Sequence, residues 1–228
     1  MILNIDTATE QASVCIARGG DVLRTIINDQ QKDHAAWVQV AISTLLQQEG
    51  CTIKDVQAVA VTEGPGSYTG LRVGMATAKG LCYALQIPLI TVNTLMVMAN
   101  GVKMEWLPLD NQSQAVFLCP MIDARRMEVF TAVYNEALQE IIAPQAMVLD
   151  AFSYKDALNS YPLLCFGSGC SKWKVISRYP NIQFINGQID MAKSLAKLAT
   201  GLHLQQKYAD LAYAEPVYLK EFYSQIKI

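Results

Sequence analysis

The chain has 228 residues, enough for two lobes of about 100 residues each. Hydrophobic residues make up 52% and charged residues 17%, which excludes a disordered chain, and no apolar run reaches the roughly 18 residues of a membrane span because Lys79 interrupts the best candidate. Lys and Arg number 18 against 20 Asp and Glu, a net charge of −2, so the phosphate attraction that dominates nucleic-acid binding has no obvious source.

Residues 2–7, 12–18 and 21–28 alternate or run apolar between a Thr9-Glu10 turn and a Gly19-Gly20 turn, which predicts a three-stranded antiparallel meander. The first strand begins within the first residues, with no positive stretch before a cleavable apolar segment, so a cytoplasmic protein is expected. A helix is expected over residues 33–49. Its polar stripe is narrow, Gln39, Ser43 and Gln47, while Trp37, Val38, Val40, Ala41, Ile42, Leu45 and Leu46 cover more of the circumference than a one-sided surface helix needs. Two readings follow: a helix buried between layers of its own fold, or a docking face.

A buried strand over residues 58–62 leads into Gly64-Pro65-Gly66, a turn that needs glycine for unusual backbone angles and proline for a fixed φ. Ser67 or Thr69 can then cap a helix over residues 69–85. That helix is apolar on almost every side, carries only Arg72 and Lys79 as charges, and holds Gly70, Gly74 and Gly80, each costing about 1 kcal/mol relative to alanine. Gly70, Gly74 and Ala78 at four-residue spacing form a flat strip that another backbone can approach. One side of the helix is expected on the chain's own sheet and the other on a partner.

After a strand at 88–92 and the turn-like Trp106-Leu107-Pro108-Leu109-Asp110-Asn111, the pattern restarts. Strands are expected at 115–123, 128–135 and 137–142, a helix near 153–159, a strand at 163–167 and a long helix over 191–206. The halves rhyme, since Ile5-Asp6 and Ile122-Asp123 each end a first strand to which a second strand returns. A duplicated meander with helical crossovers is the layout of the actin, Hsp70 and sugar-kinase superfamily, so an α/β fold of two ribonuclease-H-like lobes is expected, residues 1–105 and 106–228, with the last helix and tail packing back on the first lobe.

Candidate chemistry is sparse. Asp6-Thr7 could hold metal and phosphate as in nucleotide-binding members of that superfamily, or Asp6 could only organise its turn; Glu10 nearby repels phosphate. The matching turn, Asp123-Ala124-Arg125-Arg126, offers arginines to an anionic group or simply to solvent. Ser67 sits on a strand-to-helix turn but lacks the flanking glycines of a nucleophile elbow, and no histidine is placed as a base. His34 and His203 are isolated, and Cys15, Cys51, Cys82, Cys119, Cys165 and Cys170 lack paired short spacings, which reads as reduced core thiols. No catalytic residue and no metal ligand set is assigned.

Four blocks carry a resemblance: Met1-Ile2-Leu3-Asn4-Ile5-Asp6-Thr7-Ala8-Thr9, Glu63-Gly64-Pro65-Gly66-Ser67-Tyr68-Thr69-Gly70-Leu71-Arg72, Ile122-Asp123-Ala124-Arg125 and Ala214-Glu215-Pro216-Val217-Tyr218-Leu219. In order and approximate spacing over the whole chain they resemble the bacterial tRNA threonylcarbamoyladenosine biosynthesis proteins of the TsaB (YeaZ-like) family. The related catalytic subunit looks like this chain around residues 60–100 but carries a His-x-x-x-His metal pair where Thr94 and Met98 stand here. The resemblance implies a catalytically inactive subunit that activates the catalytic threonylcarbamoyl transferase acting on adenosine 37 of tRNA. It also implies an ATPase subunit in the same complex, tRNA contact only through the other chains, a homodimer when alone and no membrane. No cofactor of its own is implied, with room for a nucleotide at the interface with the catalytic partner.

On that reading the partner-binding residues are His34, Trp37, Val38, Ala41, Leu45, Gly70, Leu71, Gly74, Met75 and Ala78, and Asp6, Thr7, Asp123 and Arg125 contact the interface or a nucleotide. Gly74→Leu would then block docking and leave the monomer folded. The rival is an ATP-dependent kinase or ATPase of the same superfamily with Asp6 and Asp123 around a magnesium nucleotide.

Overall fold

In a computed structural model of the chain, residues 1–29, 34–107 and 115–220 are described, His34 and Ala35 by main chain only. The expected helix start at Asp33, the linker 108–111 and residues 221–228 lie outside them.

Every residue of β1 (Ile2–Asp6) is buried because the strand is central in a five-stranded sheet with helices on both faces. β2 (Ala12–Arg18) and β3 (Asp21–Asn28) extend the sheet antiparallel on one side, with Leu3 opposite Ile16. β4 (Ala58–Gly64) and β5 (Leu89–Asn93) run parallel on the other, with Ile2 opposite Ala58, giving the order β3-β2-β1-β4-β5. The parallel connections are the helices α1 (His34–Gln48) and α2 (Tyr68–Leu85).

The second sheet repeats this plan. β6 (Phe117–Asp123), β7 (Glu128–Tyr134) and β8 (Glu140–Val148) form the meander, and β9 (Leu163–Phe166) and β10 (Ile182–Phe184) join parallel beyond β6, in the order β8-β7-β6-β9-β10. The strand expected at 137–142 begins later and runs on to Val148. Leu138, at φ 60°, sits in the hairpin turn where Leu138 N donates to Asn135 O at 2.9 Å, and Pro144 is tolerated because β8 is an edge strand. α4 (Lys155–Leu158) lies in the expected helical region, whereas α5 (Cys170–Ile176) and β10 carry no sequence expectation.

Two helices tie the lobes together. α3 (Thr94–Trp106), likewise without a sequence expectation, buries Leu95, Met98 and Val102 against sheet-two residues Leu118, Ile122 and Phe166. α6 (Met191–Leu204) buries Leu195 and Ala199 against Ile2, Ala60 and Ile90 of sheet one. The layers therefore stack as α1 and α2, sheet one, α3 and α6, sheet two, then α4 and α5, the last centred on buried Trp173. α3 is apolar almost all round because both its sides are covered. Its contact with α6 carries a satisfied polar pair, Asn100 Nδ2 donating to Ser194 Oγ at 3.0 Å and Ser194 Oγ to Val97 O at 2.5 Å. A boundary at 105/106 separates the sheets but not the helices, since α3 covers sheet two and α6 covers sheet one.

Candidate functional site

The glycine-rich turn and helix pack inward. Ser67 Oγ accepts from Gly70 N at 3.3 Å and so caps α2 as expected, and Ser67 N donates to Ala8 O at 2.7 Å. Thr7 Oγ1 donates to Gly70 O at 2.7 Å, fixing the start of α2 on the turn after β1. A Cβ on Gly70 would strike the Thr7 carbonyl. One on Gly74 would strike Thr7 Oγ1 and lie 3.3 Å from Val61 Cγ2. The close approach that these glycines permit is with the chain's own β1 and β4.

This corrects the expected docking strip. Val38, Ala41, Leu45, Met75 and Ala78 are buried in the core between the helices and sheet one, Leu71 is also buried, and Trp37 packs half-buried against the same core. Gly70 and Gly74 face Thr7, and the His34 side chain lies outside the described residues. Apolar residues in a helix mark a contact without naming the surface that makes it, and here the surface is the chain's own sheet.

The opposite face of both helices is open. It carries Ala36, Gln39, Val40, Ser43 and Gln47 from α1 and Ala76, Thr77, Gly80, Tyr83 and Ala84 from α2, joined where Gln39 Nε2 donates to Thr77 Oγ1 at 3.3 Å. Val40 is 65% exposed and Tyr83 73%, and a Cβ on Gly80 would meet nothing within 4 Å. No member of this face is charged, because Arg72 and Lys79 turn aside to residues 212–218. Missing from the expected list, this face is marked in sequence only by the Gln39, Ser43 and Gln47 stripe.

Asp6 and Thr7 are also inside the fold, at 1% and 0% exposure. Asp6 Oδ1 accepts from Ala8 N at 3.1 Å and from Thr62 Oγ1 at 2.7 Å, the turn-organising role that Asp commonly takes. The matching turn in sheet two is open instead. Arg125 and Arg126 have φ of 70° and 47°, a left-handed conformation costing about 1 kcal/mol or more for a non-glycine residue, and both side chains are exposed.

Asp123 Oδ1 accepts from Arg125 N at 2.6 Å and from Lys172 Nζ at 2.7 Å. Partial burial would push this carboxyl up, but the Lys172 ammonium and the Arg125 amide outweigh it and hold the pKa below the usual value. By NMR, Asp123 is therefore expected to titrate low and Lys172→Met to raise it; an unmoved titration would assign the effect to the amide alone. A depressed folded pKa gives stability that is present above the unfolded carboxylate pKa and lost as pH falls through the folded one. With the Asp123 side chain 44% exposed, that contribution is under about 1 kcal/mol.

Thr94 and Met98 are buried, and Met98 Cε lies 2.5 Å from where a Gly167 Cβ would be, so these positions serve as packing between the lobes. Among the described residues no group of three or more His, Cys, Asp or Glu could hold a metal ion. All six cysteines are free; burial pushes the Cys15 thiol up to about 12 and that of Cys82 to about 11, which suppresses thiolate chemistry. No helix of the described residues is long and apolar enough to cross a membrane.

A sequence model of the family described as tRNA N6-adenosine threonylcarbamoyltransferase matches residues 21–215. The tRNA threonylcarbamoyladenosine biosynthesis protein TsaB of Escherichia coli K12 is 28% identical over 96% of this chain and 94% of its own length. The structure of YeaZ from Pseudomonas aeruginosa is similar at a TM-score of 0.78 and 26% identity, over 96% of this chain and 99% of that one. A Porphyromonas gingivalis protein named as an N-acetylglucosamine kinase has a TM-score of 0.50 at 7% identity over 89% of this chain and 100% of its own, a likeness of fold alone. With that model spanning most of its length, the chain belongs to the tRNA N6-adenosine threonylcarbamoyltransferase family; its full-length likeness there is to TsaB, and its fold is of the actin and sugar-kinase kind.

Proposed function

We propose that this chain is a non-catalytic subunit of tRNA threonylcarbamoyladenosine synthesis that binds and activates the catalytic transferase through the outer face of α1 and α2. The observation that carries the proposal is the uncharged, solvent-facing surface of those helices, on which Val40 and Tyr83 are exposed, on a chain similar over nearly its whole length to a biosynthesis protein of that pathway. Interface cores are depleted in charge, and this face carries no charged residue. Alone, the same face would pair with a second copy, since one exposed, uncharged patch can meet its own copy across a twofold axis.

In the complex, the transferase performs the chemistry, an ATPase subunit joins it, and tRNA is held by the other chains, consistent with the net charge of −2 here. Of the four residues expected at a nucleotide or interface, Asp6 and Thr7 are buried and only the Asp123 and Arg125 turn is exposed, on sheet two and away from the outer face of α1 and α2. Reconstitution tests the reading. The chain alone is expected to leave tRNA unmodified and ATP intact, and to raise modification by the transferase and ATPase subunits at least tenfold. Modification or magnesium-dependent ATP turnover by the purified chain alone would overturn it in favour of an enzyme.

A further inference from the structure

Beyond α6 the chain does not leave the molecule but runs back along the first lobe as a strap over residues 207–220. Ala209 N donates to Leu89 O at 2.9 Å, placing the strap on the otherwise open edge of β5, and Ala209, Leu211 and Ala214 pack against the core of the first lobe. Lys79 Nζ then donates to Ala214 O at 2.8 Å and Ala212 O at 3.3 Å, and Asp210 Oδ1 accepts from Ala212 N at 2.8 Å. Past Pro216 the contacts change character. Val217 N donates to Glu63 O at 2.7 Å, and the Tyr218 ring lies 5.1 Å from the Tyr68 ring. Arg72 Nε donates to Tyr218 Oη at 3.1 Å while its guanidinium stands 4.1 Å over Tyr68, and Lys220 pairs with Glu128 at the start of β7.

The two charges on α2 are thus both spent on the strap, Lys79 on its first part and Arg72 on its second. Glu63 stands near the carboxyl end of β4 in sheet one, and Glu128 follows the hairpin at the carboxyl end of β6 in sheet two. Three residues of extended chain span at most about 11 Å, so residues 217–220 cross from one sheet's carboxyl end to the other's.

We propose that the strap has two mechanical parts: residues 207–214 are a fixed belt on β5 and α2, and residues 215–220 are a latch that limits how far the lobes open and releases without the belt. The belt is held by apolar burial, by the Ala209 to Leu89 main-chain hydrogen bond and by two bonds from one lysine, none of which depends on the latch. The latch is held by one main-chain hydrogen bond, the Val217 carbonyl seated against Gly64, an exposed tyrosine and arginine cluster with the Arg72 to Tyr218 hydrogen bond, and a single ion pair whose lysine side chain is 45% exposed. Pro216, at the start of the latch, has no N–H to tie the joint to the fold. Local openings follow this kind of division, with exposed, sparsely bonded segments releasing first. Arg72 and Lys79 are positioning residues in this arrangement, and the idea holds whichever partner docks on α1 and α2.

The test uses the full chain with Tyr218→Ala and Lys220→Ala combined, both at exposed positions. Exchange of the Val217 amide is expected to accelerate at least tenfold with that of Ala209 unchanged. Spin labels at Lys54→Cys and Val175→Cys, one exposed site per lobe in a Cys51→Ser background, are expected to show a broadened distance distribution. Ala209 and Val217 accelerating together would make the strap a single unit, and an unaltered distance distribution would make it a passive cover; either result overturns the proposal.

Discussion

Gly74→Leu is expected to destabilise the fold strongly, whereas Gly80→Ala, six residues further along the same helix, is expected to stabilise it. A side chain at Gly74 has no space, since its Cβ alone meets Thr7 Oγ1 and Val61 Cγ2, and relieving that contact would lift α2 off β1 and β4. Overpacking of this kind costs about 3 kcal/mol or more, against a total stability of roughly 5–15 kcal/mol. A Tm lower by on the order of 10 °C, or no soluble protein, is the expected reading. At Gly80 a Cβ meets nothing and only the helix-propensity gain of about 1 kcal/mol remains, a rise in Tm of about 2–4 °C. Thermal unfolding followed by circular dichroism decides both. A folded Gly74→Leu of ordinary Tm would mean that α2 shifts outward freely and that its glycine strip is not bound to the inner sheet.

Val40→Arg is expected to abolish binding of the catalytic subunit without disturbing the monomer. Val40 is 65% exposed, so the free chain loses little, and its Tm is expected to stay within about 2 °C. In a docked interface, however, the new guanidinium is desolvated without a partner, a penalty of several kcal/mol, which lowers affinity by at least about a hundredfold. Val175→Arg is the control, being 84% exposed on α5 in the other lobe, and is expected to bind as the unaltered chain does. Titration of the transferase subunit by calorimetry reads the difference. Equal affinities for Val40→Arg and Val175→Arg would place the interface elsewhere, and sedimentation of free Val40→Arg would show whether self-association uses the same face.

Much of the scaffold was legible because its elements are local and strongly patterned. The alternating runs of β1 to β3 and the Gly64-Pro65-Gly66 turn with its Ser67 cap are set by neighbours within a few residues, and so is the recurrence of the plan at Ile122-Asp123. α3 was not legible, because an apolar run covered on both sides loses the periodicity that separates helix from strand. α5, β10 and the strap are short or irregular and are held by distant groups such as Asp150 O, Cys165 and Lys79. Pro144 obscured the full length of β8, since only the position of the strand at the sheet edge makes a proline acceptable there.

For the candidate site the division is sharper. That Gly70 and Gly74 permit a close backbone approach and that α1 and α2 carry more apolar surface than one shallow contact needs are statements about residue types at fixed spacings, and the amino-acid order alone determines them. Which surface fills the glycine strip is a different kind of fact. It depends on Thr7, 63 residues away from Gly70 in the chain, arriving beneath α2 through the pairing of β1 with β4. The same pairing buries Leu45, Met75 and Ala78 and leaves Val40, Gly80 and Tyr83 outside. Hydrophobic burial has no direction along the sequence, so a buried face and a docking face are written with the same residues, and only the tertiary arrangement decides which is which.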